Sequence, residues 1–273
     1  MTESYSHPVS QLLTQGETHV HDSRNYLKMG FTREHISDLI RLLEDRELSN
    51  LPWDEKGNAP PQVYAQVHAW RALAQLGAVE AIPSFIDLLR YIDEDNDDYI
   101  GEEIPIMLGK LGAPAIDPCR EYLAHQSHST FARVAAGYAL SEIGQQHPET
   151  RDACVQALIS TLQDYQNDDV TVNAFTLSYL AELKAVEAAP LEEIFRAGRA
   201  ELEVAGDYED YQIRVGLSKK PLTPSKFGSL ANSELRQVFV DISAEKDRAR
   251  ENEKKEKYKR KQAKKARKRH KKK

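Results

Sequence analysis

The sequence predicts an all-α chain: an α-solenoid of stacked helical hairpins, followed by a basic C-terminal tail that is disordered or transiently helical. Three observations carry this. First, Ala78-Val79-Glu80-Ala81-Ile82-Pro83 returns as Ala185-Val186-Glu187-Ala188-Ala189-Pro190, with Ala113-Pro114-Ala115-Ile116-Asp117-Pro118 a looser copy between them. Second, each copy follows an apolar-Gly or apolar-Lys step (Leu76-Gly77, Leu111-Gly112, Leu183-Lys184) and places its proline six residues beyond it. A fixed succession of helix, stop, short link, proline and helix marks a repeat array. Third, apolar residues recur at three- and four-residue spacing, and no stretch sustains the period of two expected of a half-buried strand.

In chain order, residues 1–61 read as a polar N-terminal segment and a partial capping hairpin. Val9 to Leu13 is a short helical candidate, and Gly16 and Gly30 punctuate the segment. Thr32 has the character of an N-cap, with Glu34 suited to the helix dipole. Ile36, Leu39, Ile40 and Leu43 then form a narrow apolar stripe, and a Pro/Gly-rich link runs from Leu51 to Pro61.

Residues 62–204 read as the repeat array. The first repeat has a leading helix with Val67, Trp70, Leu73, Ala74 and Leu76. Gly77 supplies the left-handed residue that ends helices cheaply, and Pro83 starts a return helix, where its missing N–H costs nothing. That return helix carries Phe85, Ile86, Leu88, Leu89 and Ile92. The second repeat runs through Ile104, Met107, Leu108 and Leu111, then Ile116, Cys119, Tyr122 and Leu123. The third starts near Thr130 and is expected to stop at Gly144, with His147-Pro148-Glu149 as its link and Cys154, Leu158, Ile159 and Leu162 beyond. The fourth begins at Asn167-Asp168-Asp169 and continues through Val172, Phe175, Leu177, Leu180 and Leu183 to Leu191, Ile194 and Phe195. Antiparallel helices with apolar faces need neighbours on each side, and the array supplies them. Residues 205–244 read as irregular cover with one short helix, Asn232 to Ile242.

The net charge of −6 conceals a split. Residues 245–273 hold 17 Lys/Arg and 5 Asp/Glu, or +12; the remaining 20 Lys/Arg and 38 Asp/Glu give −18. An acidic body joined to a basic tail points to charged partners. From Lys254 to Lys273, 14 of 20 residues are Lys or Arg. Lys259, Arg260, Lys261, Lys264, Lys265, Arg267, Lys268 and Arg269 are its candidate polyanion-binding residues, acting through counterion release without reading sequence. Two cysteines, Cys119 and Cys154, give no disulfide framework and fit a reducing compartment. The N-terminus shows no basic start or apolar run, and no apolar stretch nears the roughly 20 residues that span a bilayer. A soluble, cytoplasmic protein without membrane contact is expected.

His68-Ala69-Trp70-Arg71-Ala72-Leu73-Ala74-Gln75-Leu76-Gly77, followed by Ala81-Ile82-Pro83 and Leu88-Leu89, resembles the short HEAT-like repeats first described in phycobilin lyases. The resemblance covers residues 62–200 and implies a right-handed superhelical stack of four to five hairpins. It implies no single activity, because this architecture serves scaffolds, lyases, hydroxylases and glycosylases alike. Deoxyhypusine hydroxylases of this kind hold iron on His-Glu dipeptides, and the chain has none. HEAT-like alkylpurine glycosylases grip DNA with a cationic surface, against a body of −18 here. A bilin lyase or chaperone role is implied as an alternative.

Each candidate constellation also has a structural reading. His19-Val20-His21-Asp22 is the most ligand-like cluster but lacks a third ligand at recognisable spacing. His125 and His128 fall in an inter-repeat link and suit a helix C-terminus. Asp93 to Asp98 invites a calcium loop, yet the positions that demand Gly and a bidentate Glu hold Asp98 and Ile104. Helix capping explains the acids better: Asp97 and Asp98 precede one leading helix as Asp168 and Asp169 begin another. Stacking would align these four into an acidic docking ridge. The cysteines read as buried apolar residues. No catalytic constellation and no cofactor is read. The function expected is a non-enzymatic scaffold that binds a partner protein on the repeat surface, with the tail as an electrostatic anchor. An RNA- or ribosome-associated protein acting through the tail is the runner-up.

Overall fold

The computed structural model describes residues 5–18, 24–95, 97–187 and 191–218. Among them every regular element is helical and none is a strand. No helix among them is long and apolar enough to cross a membrane. The His19–Asp22 cluster, the copied Ala188-Ala189-Pro190, the helix expected at 232–242 and the whole basic tail lie outside the described residues. The chain divides into two compact units, Met1–Trp53 with Ala59–Ser229, and Asp54–Asn58 with Leu230–Lys273. Of the second, only the turn Asp54–Asn58 is described. There Asp54 Oδ1 accepts from the amides of Lys56 and Asn58 at 2.8 and 2.9 Å, and the bonds to Asn58 hold its carboxyl below the ordinary value.

In the first unit the chain opens with a 3₁₀ turn, Val9–Thr14, then forms α1 (Ile36–Glu44) and the short α2 (Arg46–Ser49). Thr32 caps the turn leading into α1 through a capping box closed by the ring of His35. The long link precedes α3 (Ala65–Gln75), and the return segment is α4 (Ile82–Leu88) with a one-turn α5 (Tyr91–Glu94). Then follow α6 (Asp98–Leu111), α7 (Ile116–Ala124), α8 (Thr130–Gln146), α9 (Arg151–Thr161) and α10 (Val170–Glu182). The described part ends with α11 (Leu191–Arg196), α12 (Leu202–Ala205) and α13 (Tyr208–Arg214). The leading helices pack in chain order, α3 on α6, α6 on α8 and α8 on α10. The return helices do likewise, with α4 on α7 and α7 on α9. Trp70, Leu73, Phe85, Ile104, Leu108, Leu140 and Leu180 are among the buried side chains between them.

The copied links fold alike. Gly77 N–H donates to Ala74 O and Ala78 N–H to Leu73 O; Lys184 N–H donates to Ala181 O and Ala185 N–H to Leu180 O, all at 3.0–3.1 Å. This is the paired closure of a helix ending on a left-handed residue. Lys184, at φ 55°, is the one non-glycine residue with positive φ among those described. The apolar-Lys step therefore does the work of the apolar-Gly step, and its ammonium donates to Arg214 O at 2.6 Å.

Two expectations are corrected. Gly144 does not stop a helix; α8 runs through it to Gln146 and ends at His147 and Pro148. A Cβ at Gly144 would lie 2.8 Å from Leu183 Cδ2, so the glycine serves close packing of α8 on the end of α10. Asp207 to Tyr211 is not irregular: Asp207 and Asp210 form a capping box that starts α13.

Glycine has the same packing role in α6. A Cβ at Gly109 would sit 2.7 Å from Glu142 Cβ on α8, an atom fixed to the backbone. Gly109→Ala gains up to about 1 kcal/mol of helix propensity, but overpacking costs about 1–3 kcal/mol. A net loss of stability is expected in urea denaturation; a stabilised variant would show that α6 and α8 do not approach this closely.

Candidate functional site

The apolar stripes pack the helices together, while the polar residues between them decide how each helix is fastened to its neighbours. Helix α3 presents His68, Arg71 and Gln75 on one stripe, at the spacing that puts side chains on one helical face. All three hold the N-terminal segment. His68 Nε2 lies 3.0 Å from Gly16 O and Nδ1 lies 2.7 Å from Tyr26 Oη. A carbonyl only accepts, so Nε2 bears the proton and Nδ1 accepts from the tyrosine. Arg71 Nη1 donates to Thr18 Oγ1 at 2.7 Å. Gln75 takes the Tyr26 amide on Oε1 and gives Nε2 to Arg24 O, each at 2.8 Å.

The same guanidinium also crosses to α6. Arg71 Nε donates to Glu103 Oε2 at 2.7 Å, and Nη2 closes a second bond to Oε1. Trp70 Nε1 donates to the same carboxylate at 2.8 Å. Burial works against a charged Arg71, but Glu103 outweighs it and raises the guanidinium pKa. The two side chains are 6% and 3% exposed, so neither charge has water to fall back on.

A second buried pair fastens α8 to the start of α10. Arg133 Nη1 and Nη2 reach Asp168 Oδ1 and Oδ2 at 2.6 and 2.7 Å, a two-pronged geometry that suits arginine and carboxylate. Arg133 Nε takes Leu123 O, at the end of α7, at 2.7 Å. Gln66 holds Leu43 O, near the end of α1, at 2.8 Å, and Asn173 holds Tyr165 O, beyond α9, at 2.9 Å. Three leading helices thus begin with a donor for carbonyls that a helix end leaves without partners.

The acids predicted as a docking ridge serve this framework. Asp97 caps α6 by accepting from Ile100 N–H at 3.2 Å, and burial raises its pKa. Asp98, half-buried, is the first residue of α6. Asp168 turns inward onto Arg133 and accepts from Asp169 N–H at 2.7 Å. Asp169 caps α10; partial burial opposes its charge, but bonds from Thr171 N–H and the Thr130 hydroxyl hold its pKa low. Of the calcium-like run, Asp93 accepts from Ala132 N–H on α8 at 2.9 Å and Asp95 pairs with Arg46 at 2.8 Å. The copied glutamates match as well: Glu80 pairs with Arg33 and Glu187 with Arg151, at 2.7 and 2.6 Å.

The remaining candidates have structural settings. His128 stacks flat on Tyr122, ring centroids 3.9 Å apart, and His125 ends α7 with its Nδ1 2.8 Å from Ser127 Oγ. Cys119 and Cys154 are buried; burial pushes the Cys154 thiol up to about 11 and the Cys119 thiol further. An open cleft of about 340 Å³ beside α4 is lined by Glu44, Arg46, Ser84, Asp87, Arg90 and Tyr91. Its arginines are matched to Asp95 and Asp87, and Ser84 donates to Glu44. No group of three or more His, Cys, Asp or Glu able to hold a metal occurs among the described residues. Sequence reasoning did not find Arg71, Glu103 or Arg133, whose partners lie 32 to 35 residues away. The signal was an arginine inside an alanine-rich apolar helix, where a charge requires a partner. No family model matches the chain, and neither a curated protein nor a solved structure does.

Proposed function

We propose that the protein is a non-enzymatic scaffold of the HEAT-like type, a superhelical stack of helical hairpins that holds a partner protein on its surface while the basic tail acts as an electrostatic anchor. The observation that carries this reading is the unit-to-unit fastening. Successive leading helices pack on one another, and buried ion pairs and caps join each to the next. Such a chain gains surface with every unit added, which suits the recognition of an extended partner. The repeated use of acids as caps leaves the ridge reading to Asp97, Asp98 and Asp169, with Asp168 spent inside.

The charge split favours a second reading, in which the tail binds RNA or the ribosome. Both are tested by affinity capture from a cytoplasmic extract, comparing the full chain with a variant lacking 245–273, with and without nuclease. The scaffold reading expects defined protein partners that survive both treatments. If every partner disappears with nuclease or with the tail, the second reading replaces the first. For the tail itself, affinity for single-stranded RNA is expected to fall with salt, by about −0.7 in log K per log salt for each phosphate neutralised. A salt-independent affinity would contradict binding by lysine and arginine charge.

A further inference from the structure

The bonding around His68 has a property that the scaffold reading does not use. The ring is fully buried, and both nitrogens are committed to the N-terminal segment, Nε2 to Gly16 O and Nδ1 to the Tyr26 hydroxyl. The pattern suits the neutral ring: one nitrogen donates and the other accepts. A proton added at Nδ1 would make that nitrogen a donor and force the Tyr26 bond to reverse. It would also place a second cation one helical turn from Arg71. The Glu103 carboxylate that pairs with Arg71 is already bound by Arg71 and by Trp70.

The tyrosines around this corner supply no matching change. Tyr99 of α6 donates to Thr18 O, and burial pushes its pKa up to about 12. Tyr64 rises as well, through burial and the neighbouring charge of Glu17. Phe31 packs edge-on against Tyr26, with His35 beyond it.

We propose that His68 is an acid-sensitive latch that holds the N-terminal segment on α3 while neutral and loosens it when protonated. A histidine released into water takes up its proton below about pH 6.5. The released form therefore binds the extra proton, and acid favours opening, by up to about tenfold per pH unit below that point. Above it opening no longer depends on pH. Local opening of a segment, with the rest of the fold intact, is the scale on which this acts.

The test is hydrogen exchange on the full chain at pH 7.5 and 5.5, corrected for intrinsic rates, read at residues 9–18 and 24–31. In the native sequence the open population is expected to rise about tenfold at the lower pH, while the amides of α8 and α10 hold. His68→Gln keeps a donor for Gly16 O and an acceptor for Tyr26 without a titrating group, and its open population is expected to change less than about twofold. His19 and His21 follow Thr18 in the sequence, so H19Q/H21Q is measured alongside and is expected to retain the full rise. The proposal is overturned if His68→Gln shows the native rise, if H19Q/H21Q abolishes it, or if the native chain stays flat. Should His68→Gln not fold, a flat native profile or a rise abolished in H19Q/H21Q still overturns the proposal.

Discussion

Arg133→Ala is expected to lower the unfolding free energy by about 3–5 kcal/mol, measured by urea denaturation at pH 7. The side chain is 3% exposed and its partner Asp168 is 4% exposed, so truncation leaves a carboxylate with neither counter-charge nor water. Leu123 O loses its donor in the same step. The cost should shrink when Asp168 is changed to Asn as well, because the stranded charge goes with it. If the double variant is as unstable as the sum of the single ones, the pair is not coupled and its geometry is irrelevant to stability. The neighbouring Asp169 sets an acid limit. Its carboxyl is held below the ordinary range, so its contribution is complete above that range and disappears as pH falls through the lower value. Stability should therefore decline below about pH 4, and a shallower decline in Asp169→Asn would identify this residue's share.

Trp70→Ala is expected to cost about 3–5 kcal/mol through the cavity it leaves. The ring is 2% exposed, lodged where α3 meets α6. Its indole N–H is one of three protein donors on the Glu103 carboxylate, so the variant also weakens the setting of a buried charge. Trp70→Phe separates the two effects. It keeps most of the apolar volume and removes the donor, and a loss of about 1.5–3 kcal/mol is expected from a hydrogen bond to a charged group. Equal losses in the two variants would mean that packing contributes little there, against the observed burial.

The helical elements and the links between them were legible because their signals are local. Gly77 and Lys184 follow the same apolar residue before the same Ala-Val-Glu-Ala, and they close their helices by the same pair of bonds. The capping acids Asp97 and Asp169 were legible for the same reason. Gly144 was misread because a glycine near the end of an apolar helix can stop it or admit a neighbour, and only the position of Leu183 distinguishes these. The Asp207–Asp210 box was present in the sequence and was masked by the fading of the apolar pattern around it. The buried pairs were out of reach. Arg71 and Glu103, or Arg133 and Asp168, meet only after their helices are placed, and nothing in the spacing selects one acid among the many available.

The Asp93 carboxylate, which accepts from the first turn of α8, has a consequence for any attempt to shorten the chain. A fragment beginning at Thr130 would carry a bare helix start and an arginine facing no acid unless it also reached Asp168. Short fragments cut at the apparent hairpin boundaries should therefore melt or aggregate, whereas cuts that keep a helix together with the residue that ties down its end should yield tractable pieces.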